Sequence, residues 1–227
     1  MDSSLNYRHE VKHELNYLDF LCVRQRLRAV AHPDPHVKDG KYLIRSLYFD
    51  NIYDKALREK NDGVNGREKF RIRYYNDDTS FIQLEKKSRL NGLGTKYAAR
   101  LSKEEAQKIV DGDIGWMLDH ENELVRELYC KMQYQGMRPR TIVDYTREPY
   151  IFGPGNVRVT FDYNIRTGLN STDFLNPDCI TIPAGEAPIL LEVKWDHFLP
   201  EIIRNAVQLP GRHSQAFSKY AQCRIYG

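Results

Sequence analysis

The chain has 227 residues, of which 41% are hydrophobic and 29% are charged, a composition typical of a folded protein and not of a disordered one. Its formal net charge of +3 is small for a general nucleic-acid or membrane-surface binder, so any anion site must come from the arrangement of charges. No apolar run reaches membrane-spanning length, and the N-terminal segment lacks the apolar core of a signal peptide. The four cysteines form no CxxC pair, which predicts reduced thiols and a cytoplasmic protein.

Alternating polar and apolar residues predict eight β-strands. In chain order they span about 7–14, 42–49, 67–75, 80–89, 95–101, 140–150, 157–166 and 188–195. Helices are predicted from a capping box at Ser102 and Glu105, over 114–135, in LPEIIRNAVQL, and in HSQAFSKYAQC with Ser214 as its cap. The segment 166–187 is typical of a loop. Because no regular βαβ alternation appears, the pattern indicates an α+β fold built on a largely antiparallel sheet.

The strand at 67–75, REKFRIRYY, separates a cationic face from an apolar face. Its cationic residues are Arg67, Lys69, Arg71 and Arg73. Four other strands also have one apolar face, and their polar faces mix charges. Those polar faces carry Arg8, Glu10, Lys12 and Glu14; Gln83, Glu85, Lys87 and Arg89; Arg158, Thr160, Asp162 and Asn164; and Glu192, Lys194 and Asp196.

An open sheet with one face in water would give this pattern in any single strand. Repetition of ionic faces in strands from the whole chain favours a closed barrel, with helices on its apolar outside and charges inside. Unpaired buried charges cost several kcal/mol each, and like charges about 4 Å apart repel by roughly 4 kcal/mol at an effective dielectric near 20. The interior therefore requires water or an anionic ligand, and a chain of phosphates with a divalent metal suits both the cations and the carboxylates.

Eight short motifs, in order, resemble the VTC (vacuolar transporter chaperone) domain of the triphosphate tunnel metalloenzymes, which are relatives of the CYTH proteins. The motifs are EVKHE, SLYFDN, KFRIR, LEKK, YTREPY, VRVTFD, LLEVKW and FSKY. The resemblance covers nearly the whole chain and implies a single domain over residues 1–227. It implies a closed antiparallel β tunnel, with helices packed outside and one C-terminal helix near a tunnel end.

The resemblance and the strand faces together assign the site residues. Phosphate binding is expected of Lys12, Lys69, Arg71, Arg73, Lys87, Lys96, Arg147, Arg158, Lys194 and Lys219. Metal binding is expected of Glu192, with Asp162, Glu10 and Glu14 as further ligands. The residues expected to take part in catalysis are Lys12, Arg71, Arg73, Lys87 and Glu192. Lys12 stands where the ExExK signature of CYTH proteins has a second glutamate, which favours polyphosphate chemistry over adenylate cyclase or thiamine triphosphatase activity.

The activity that the resemblance implies is transfer of the ATP γ-phosphate to a polyphosphate chain, with Mn²⁺ or Mg²⁺ as cofactor. The implied partners are ATP, tripolyphosphate or polyphosphate, without nucleic acid and without direct membrane insertion. Three alternatives remain open. They are hydrolysis of tripolyphosphate or a nucleoside triphosphate, non-catalytic binding of polyphosphate or inositol phosphate, and binding of RNA.

A competing motif lies at the first predicted strand, where HEVKH at 9–13 matches H-E-x-x-H. On a helix, His9 and His13 would face one zinc ion with Glu10 as general base. The strand prediction instead places both histidines on the outer face, and no third ligand follows at a suitable spacing. The two hypotheses differ in the backbone conformation of this segment.

Overall fold

The structure is a computed structural model that describes residues 8–35, 37–91, 93–186, 188–211 and 213–225. Within these ranges lie ten β-strands and six α-helices. The strands are β1 (His9–Leu15), β2 (His32–Pro33), β3 (Tyr42–Asp50), β4 (Arg67–Tyr75), β5 (Asp78–Leu90), β6 (Leu93–Leu101), β7 (Arg138–Phe152), β8 (Val157–Thr167), β9 (Ile182–Pro183) and β10 (Ile189–Trp195). The helices are α1 (Tyr17–Val30), α2 (Lys55–Asn61), α3 (Lys103–Asp111), α4 (Glu123–Gln135), α5 (Glu201–Val207) and α6 (Lys219–Cys223).

All eight predicted strands are present, with ends shifted by a few residues, as β1, β3 to β8 and β10. Residue 7, where the first predicted strand begins, lies outside the described residues. The strands pair in antiparallel fashion within each of the two units described below. These features confirm the predicted α+β class and its antiparallel sheet. In the described part of the chain, no helix is both long enough and apolar enough to cross a membrane.

Contacts along the chain divide it into two compact units. Unit 1 comprises Met1–Leu43, Tyr145–Ile165 and Gly185–Ser218, and unit 2 comprises Ile44–Asp144, Arg166–Ala184 and Lys219–Gly227. Strands β3, β7 and β8 contribute residues to both units. The single domain expected over residues 1–227 stays a prediction.

In unit 1, β10 pairs with β1 on one side and with β8 on the other. Helix α1 begins after Asn16, whose side chain accepts a hydrogen bond from the Asp19 backbone at 2.8 Å. One side of α1 and part of α5 bury apolar residues against these strands. The resulting core includes Phe20, Val23, Leu27, Val159, Phe161, Leu191, Val193 and Ile203.

The sequence pattern does not predict α1 as a separate helix. The side opposite its core contacts is also apolar, since Tyr17, Leu18 and Leu21 are 65%, 71% and 38% exposed. Apolar residues therefore surround the first half of the helix, and its 3.6-residue period is weak.

In unit 2, strands β3, β4, β5 and β6 pair in sequence order. Helix α3 begins with the predicted capping box, in which Ser102 and Glu105 bond each other's backbone. Helices α3 and α4 cover the apolar face of the strands. This core includes Phe70, Ile72, Leu84, Ala106, Ile109, Leu128 and Met132.

Two helix predictions require correction. The segment 114–135 is not one helix but a short 3₁₀ turn at Gly115–Asp119 followed by α4. The backbone is extended at His120, and the Asn122 side chain then caps α4 by accepting from Leu124. Ser214 caps no helix, because α6 begins only at Lys219, and the preceding Gln215 N–H donates to Lys12 O of β1 instead.

The predicted loop at 166–187 is confirmed over residues 166–186, apart from the end of β8 and the short strand β9, and residue 187 lies outside the described residues. Arg45 of β3 supports this loop by donating to the carbonyl of Asn176 at 2.6 Å. The same guanidinium makes a two-point contact with Asp144 at 3.0 and 2.9 Å. This buried arginine is a structural residue of unit 2.

Candidate functional site

Strand pairing in unit 2 aligns cationic side chains on the face opposite the helices. Lys69 lies opposite Lys87, which lies opposite Lys96 on the next strand. This surface of β4, β5 and β6, called the basic face below, carries eight cations and one carboxylate in the described residues. The carboxylate is Glu85, and the cations are Arg67, Lys69, Arg71, Arg73, Lys87, Arg89, Lys96 and Arg100.

Glu85 contacts three cations of the basic face. It is 2% exposed, and its Oε2 lies 2.7 Å from Arg71 Nη2 and 3.5 Å from Arg73 Nε. Its Oε1 lies 2.7 Å from Lys96 Nζ. Burial alone would raise the pKa of Glu85, but Arg71, Arg73 and Lys96 outweigh it and hold the pKa at about 2. Glu85 is therefore ionised at neutral pH.

Three lysines form a row across the basic face, since Lys69 lies opposite Lys87 and Lys87 lies opposite Lys96. Lys87 and Arg89 are exposed, and the Lys96 side chain is 55% exposed. Like charges directly opposite each other on paired strands are destabilising. An anion that bridges the Lys69, Lys87 and Lys96 row would relieve this repulsion.

Two tyrosines contact the arginines of the basic face, and the sequence analysis did not assign a role to either. Arg71 Nη1 donates to the Tyr48 hydroxyl at 2.7 Å, and Arg73 Nη1 donates to the Tyr75 hydroxyl at 3.0 Å. Tyr48 lies opposite Arg71 in the β3–β4 register. The alternation in SLYFD places Tyr48 on one side of β3, but only the strand order places it beside Arg71.

A second group of charges lies in unit 1 on β1, β10, β8 and β7. Glu192 is at its centre, with Oε1 3.1 Å from Lys194 Nζ and 3.6 Å from Lys12 Nζ. Glu10 contacts Lys12 at 2.8 Å and Lys194 at 3.6 Å. The register explains the pattern, since Lys12 lies opposite Glu192 and Glu10 lies opposite Lys194. These four residues, with Arg147 and Asp162, form what is called the carboxylate cluster below.

The Arg147–Asp162 pair is the most buried part of the carboxylate cluster. The guanidinium makes a two-point contact with Asp162 at 2.6 and 2.7 Å, and Nη2 also lies 3.7 Å from Glu192 Oε2. Burial would lower the pKa of Arg147, but Asp162, Tyr145 and Glu192 raise it well above its ordinary value. The pKa of Lys12 is likewise raised, because Glu192 and Glu10 outweigh the opposing effect of burial.

Arg158 of unit 1 has two partners that sequence reasoning missed. Its Nη2 lies 3.1 Å from Asp34 Oδ2 and donates to the Tyr42 hydroxyl at 2.8 Å. Arg158 also lies opposite Lys194 in the strand register. Asp34 and Tyr42 are far from Arg158 in sequence, so no local pattern could have identified them.

The remaining predicted site residues have separate positions. Glu14 lies opposite Leu190 in the β1–β10 register and makes no ion pair within the described residues. Lys219 begins α6 in unit 2. Thr160 lies opposite Glu192, and its buried hydroxyl has no hydrogen-bond partner among the described residues.

The carboxylates of unit 1 differ from a preassembled metal site. The described part of the chain contains no group of three or more His, Cys, Asp or Glu residues placed to hold a metal ion. Mg²⁺, however, is often bound by one or two protein carboxylates together with substrate phosphates and water. In this structure Glu192 and Glu10 instead share two lysine partners, Lys12 and Lys194.

The zinc-protease hypothesis for HEVKH is wrong, because this segment lies in strand β1 and not in a helix. His9 stacks on Trp195 with a centroid distance of 5.3 Å. His13 lies opposite Leu191, one of the core residues of unit 1. Residues four apart on a strand lie about 13 Å apart, too far to bind one zinc ion together.

A family model described as the VTC domain matches residues 7–225. The match spans nearly the whole chain, and the chain belongs to the VTC domain family. A search of curated proteins found no significant match.

Solved structures provide three further comparisons. Protein PH1819 of Pyrococcus horikoshii OT3 is 14% identical with a TM-score of 0.44, and the match covers 88% of this chain and 84% of that one. A Bacillus halodurans protein suggested to be an adenylate cyclase is 13% identical with a TM-score of 0.48, covering 83% and 80%. Protein PH1012 of Pyrococcus horikoshii OT3 is 15% identical with a TM-score of 0.46, covering 88% and 85%.

Proposed function

We propose that this VTC domain binds a chain of phosphates on its basic face and transfers the γ-phosphate of ATP to a polyphosphate end. The observation that carries the proposal is the charge composition of the basic face, where eight cations surround the single carboxylate Glu85 in the described residues. Phosphate oxygens suit the arginines of this face, since a guanidinium can donate two parallel hydrogen bonds to a phosphate.

The spacing of these cations favours an extended anion over a compact one. Residues two apart on a strand are about 6.7 Å apart, so Arg67 to Arg73 span about 20 Å along β4. Lys87 and Arg89 of β5 follow the same line beside them. A linear phosphate chain can contact successive cations along this line, whereas a single phosphate can contact only one end.

Phosphoryl transfer depends mainly on positioning and on neutralisation of charge. Arg71 and Arg73 are suited to hold the reacting phosphates, because Glu85 fixes both guanidinium groups. The lysine row of the basic face, Lys69, Lys87 and Lys96, would hold the remainder of the phosphate chain. Lys219 is assigned to the same ligand on the family resemblance.

In unit 1, the acidic residues of the carboxylate cluster are the proposed metal ligands. Glu192 is the proposed metal ligand, assisted by Glu10 or Asp162, while Glu14 is the weakest of the proposed ligands because it lies outside the cluster of ion pairs. Lys12, Arg147, Arg158 and Lys194 are the proposed phosphate-binding residues of this unit. A bound Mn²⁺ or Mg²⁺ would neutralise phosphate charge and polarise the transferred group.

Incubation of the purified protein with ATP and Mn²⁺ tests the proposal. We expect ADP and chains of phosphate whose length increases with time, measured by gel electrophoresis and by ³¹P NMR. Release of inorganic phosphate without chains would support the second candidate, a tripolyphosphate or nucleoside triphosphate hydrolase. The absence of both products would exclude an enzyme of this class.

A substitution in the carboxylate cluster distinguishes an enzyme from a non-catalytic module that binds polyphosphate or inositol phosphate. For an enzyme, Glu192→Gln should abolish turnover while tripolyphosphate binding without metal is retained. A binding module would show no turnover in either form. Glu121→Gln, at an exposed position outside both charged groups, is the matched control and should leave turnover unchanged.

We also propose a cytoplasmic location, supported by four cysteines that form no disulfide. ATP, tripolyphosphate or polyphosphate would be the partners. Retention of activity in reducing buffer, together with equal activity after Cys22 and Cys130 are replaced by serine, would agree with this location.

A further inference from the structure

Strand β3 supplies a hydroxyl group to the basic face of unit 2. Tyr48 lies opposite Arg71 in the strand register and is only 3% exposed. Its hydroxyl accepts from Arg71 Nη1 at 2.7 Å, and Arg71 Cζ lies 5.6 Å from the centre of its ring. Lys69 Nζ lies 6.0 Å from the same ring centre. The phenol is therefore in direct contact with the cations that are proposed to bind phosphate.

A phenol hydroxyl can donate one hydrogen bond while it accepts another. In the part of the chain that the structure describes, the Tyr48 hydroxyl accepts from Arg71 but donates to no protein acceptor. Glu85 is the one carboxylate of the basic face there, and its contacts go to Arg71, Arg73 and Lys96. A buried donor without an acceptor is unfavourable, so an anionic oxygen beside Arg71 would satisfy it.

The ring of Tyr48 is held in place from its other side. It stacks on Tyr220 of α6 with a centroid distance of 5.0 Å and an interplanar angle of 24°. The Tyr220 hydroxyl donates to Asp50 Oδ2 at 2.7 Å, and Asp50 also accepts from the backbone N–H of Ala56. This packing fixes the Tyr48 hydroxyl against Arg71 before any ligand binds. Ser46, on the same side of β3, has a buried hydroxyl without a hydrogen-bond partner in the described chain.

We propose that Tyr48 is a phosphate-binding residue, whose hydroxyl accepts from Arg71 and donates to an oxygen of the phosphate that Arg71 binds. The inference rests on the proposed function of the basic face as a phosphate site. A hydrogen bond to a charged oxygen is shorter and stronger than one to a neutral group. Tyr48 thus adds a neutral donor to a site whose other donors are cations.

The test measures metal-free binding of tripolyphosphate by isothermal titration calorimetry. Tyr48→Phe keeps the ring and its stacking but removes the hydroxyl, and we expect it to weaken binding by about tenfold. Tyr134→Phe removes the hydroxyl of an exposed tyrosine of α4 that lies outside the basic face, and it should bind as the unaltered protein does. Equal affinity of Tyr48→Phe and the unaltered protein would overturn the inference and leave the proposed function standing.

A second measurement separates direct contact with phosphate from an effect through Arg71. In the Arg71→Lys background, Tyr48→Phe should still lose several-fold in affinity for tripolyphosphate, because the hydroxyl has its own bond to phosphate. No further loss in that background would mean that Tyr48 only positions Arg71, and would overturn the inference. Absence of binding by the unaltered protein would overturn both the inference and the proposed function. Thermal unfolding of each variant without ligand confirms that it is folded.

Discussion

Glu85 contacts three cations of the basic face although it is almost fully buried. Removing the charge by Glu85→Gln would leave Arg71 and Arg73 close together without their shared carboxylate. Breaking a buried ion pair from one side is strongly destabilising, so we expect the free energy of unfolding at pH 7 to fall by about 3 kcal/mol. Tripolyphosphate should restore part of the loss, since an anion replaces the missing charge. Urea unfolding with and without tripolyphosphate measures both effects.

The control for Glu85→Gln is Glu121→Gln, which removes an exposed carboxylate outside both charged groups. Its free energy of unfolding should change by less than about 0.5 kcal/mol. Equal effects of the two substitutions would show that Glu85 does not order the arginines.

The low pKa of Glu85 also predicts a pH dependence of stability. The pKa falls from 4.5 in the unfolded chain to about 2 in the folded protein, so the unfolded state binds the proton more readily. The stabilisation is therefore complete above the unfolded pKa and is lost as the pH falls towards 2. Urea unfolding from pH 6 to pH 3 should show a smaller decrease for Glu85→Gln than for the unaltered protein. Parallel curves would contradict the assignment.

Asp50 connects three elements of unit 2 through one buried carboxylate. Its Oδ1 accepts from the Ala56 N–H at 2.9 Å, and its Oδ2 accepts from the Leu57 N–H at 3.1 Å and from the Tyr220 hydroxyl at 2.7 Å. The N-cap residue of α2, Asp54, makes no side-chain cap bond, so Asp50 of β3 serves that role. Strand β3, helix α2 and helix α6 therefore depend on the same side chain.

We expect Asp50→Ala to lower the free energy of unfolding by about 2–4 kcal/mol, because it leaves two helical N–H groups and one hydroxyl without their acceptor. Ser102→Ala, which removes the ordinary cap of α3, should cost only about 1 kcal/mol. Unfolding of both variants in guanidinium chloride measures the two losses of free energy. A smaller loss for Asp50→Ala than for Ser102→Ala would contradict the role of Asp50 as a connection between elements.

The strands could be predicted from sequence because polar and apolar residues alternate with a period of two wherever one face of a strand is apolar. The segment 67–75 matches β4 residue for residue, and the register adds that its cations lie beside those of β5 and β6. Sequence patterns could not supply the Arg158 contacts with Asp34 and Tyr42, since these join residues more than 100 positions apart. They also missed α1, whose first half is apolar on its exposed side, and the break before α4, where the Asn122 side chain caps the helix.

The whole chain has 34 basic and 31 acidic residues, so its affinity for anions must come from local arrangement and not from net charge. Replacing Lys69, Lys87 and Lys96 together by alanine removes the lysine row of the basic face. We expect tripolyphosphate binding to weaken by at least about tenfold, and its dependence on salt to become less steep because fewer cations contact phosphate. Binding isotherms at several salt concentrations measure both quantities.

A matched control separates the site from general charge. Replacing Lys41, Lys103 and Lys108, three exposed lysines outside the basic face, changes the net charge by the same amount and should leave the affinity nearly unchanged. If the two triple variants lose affinity equally, binding is a property of total charge. Single-stranded RNA provides the second comparison, because a general cationic surface would bind it at least as tightly as tripolyphosphate with a steep salt dependence. We expect the opposite order, since the cations of the basic face lie side by side on β4, β5 and β6 and the buried Glu85 holds Arg71, Arg73 and Lys96 before any ligand binds.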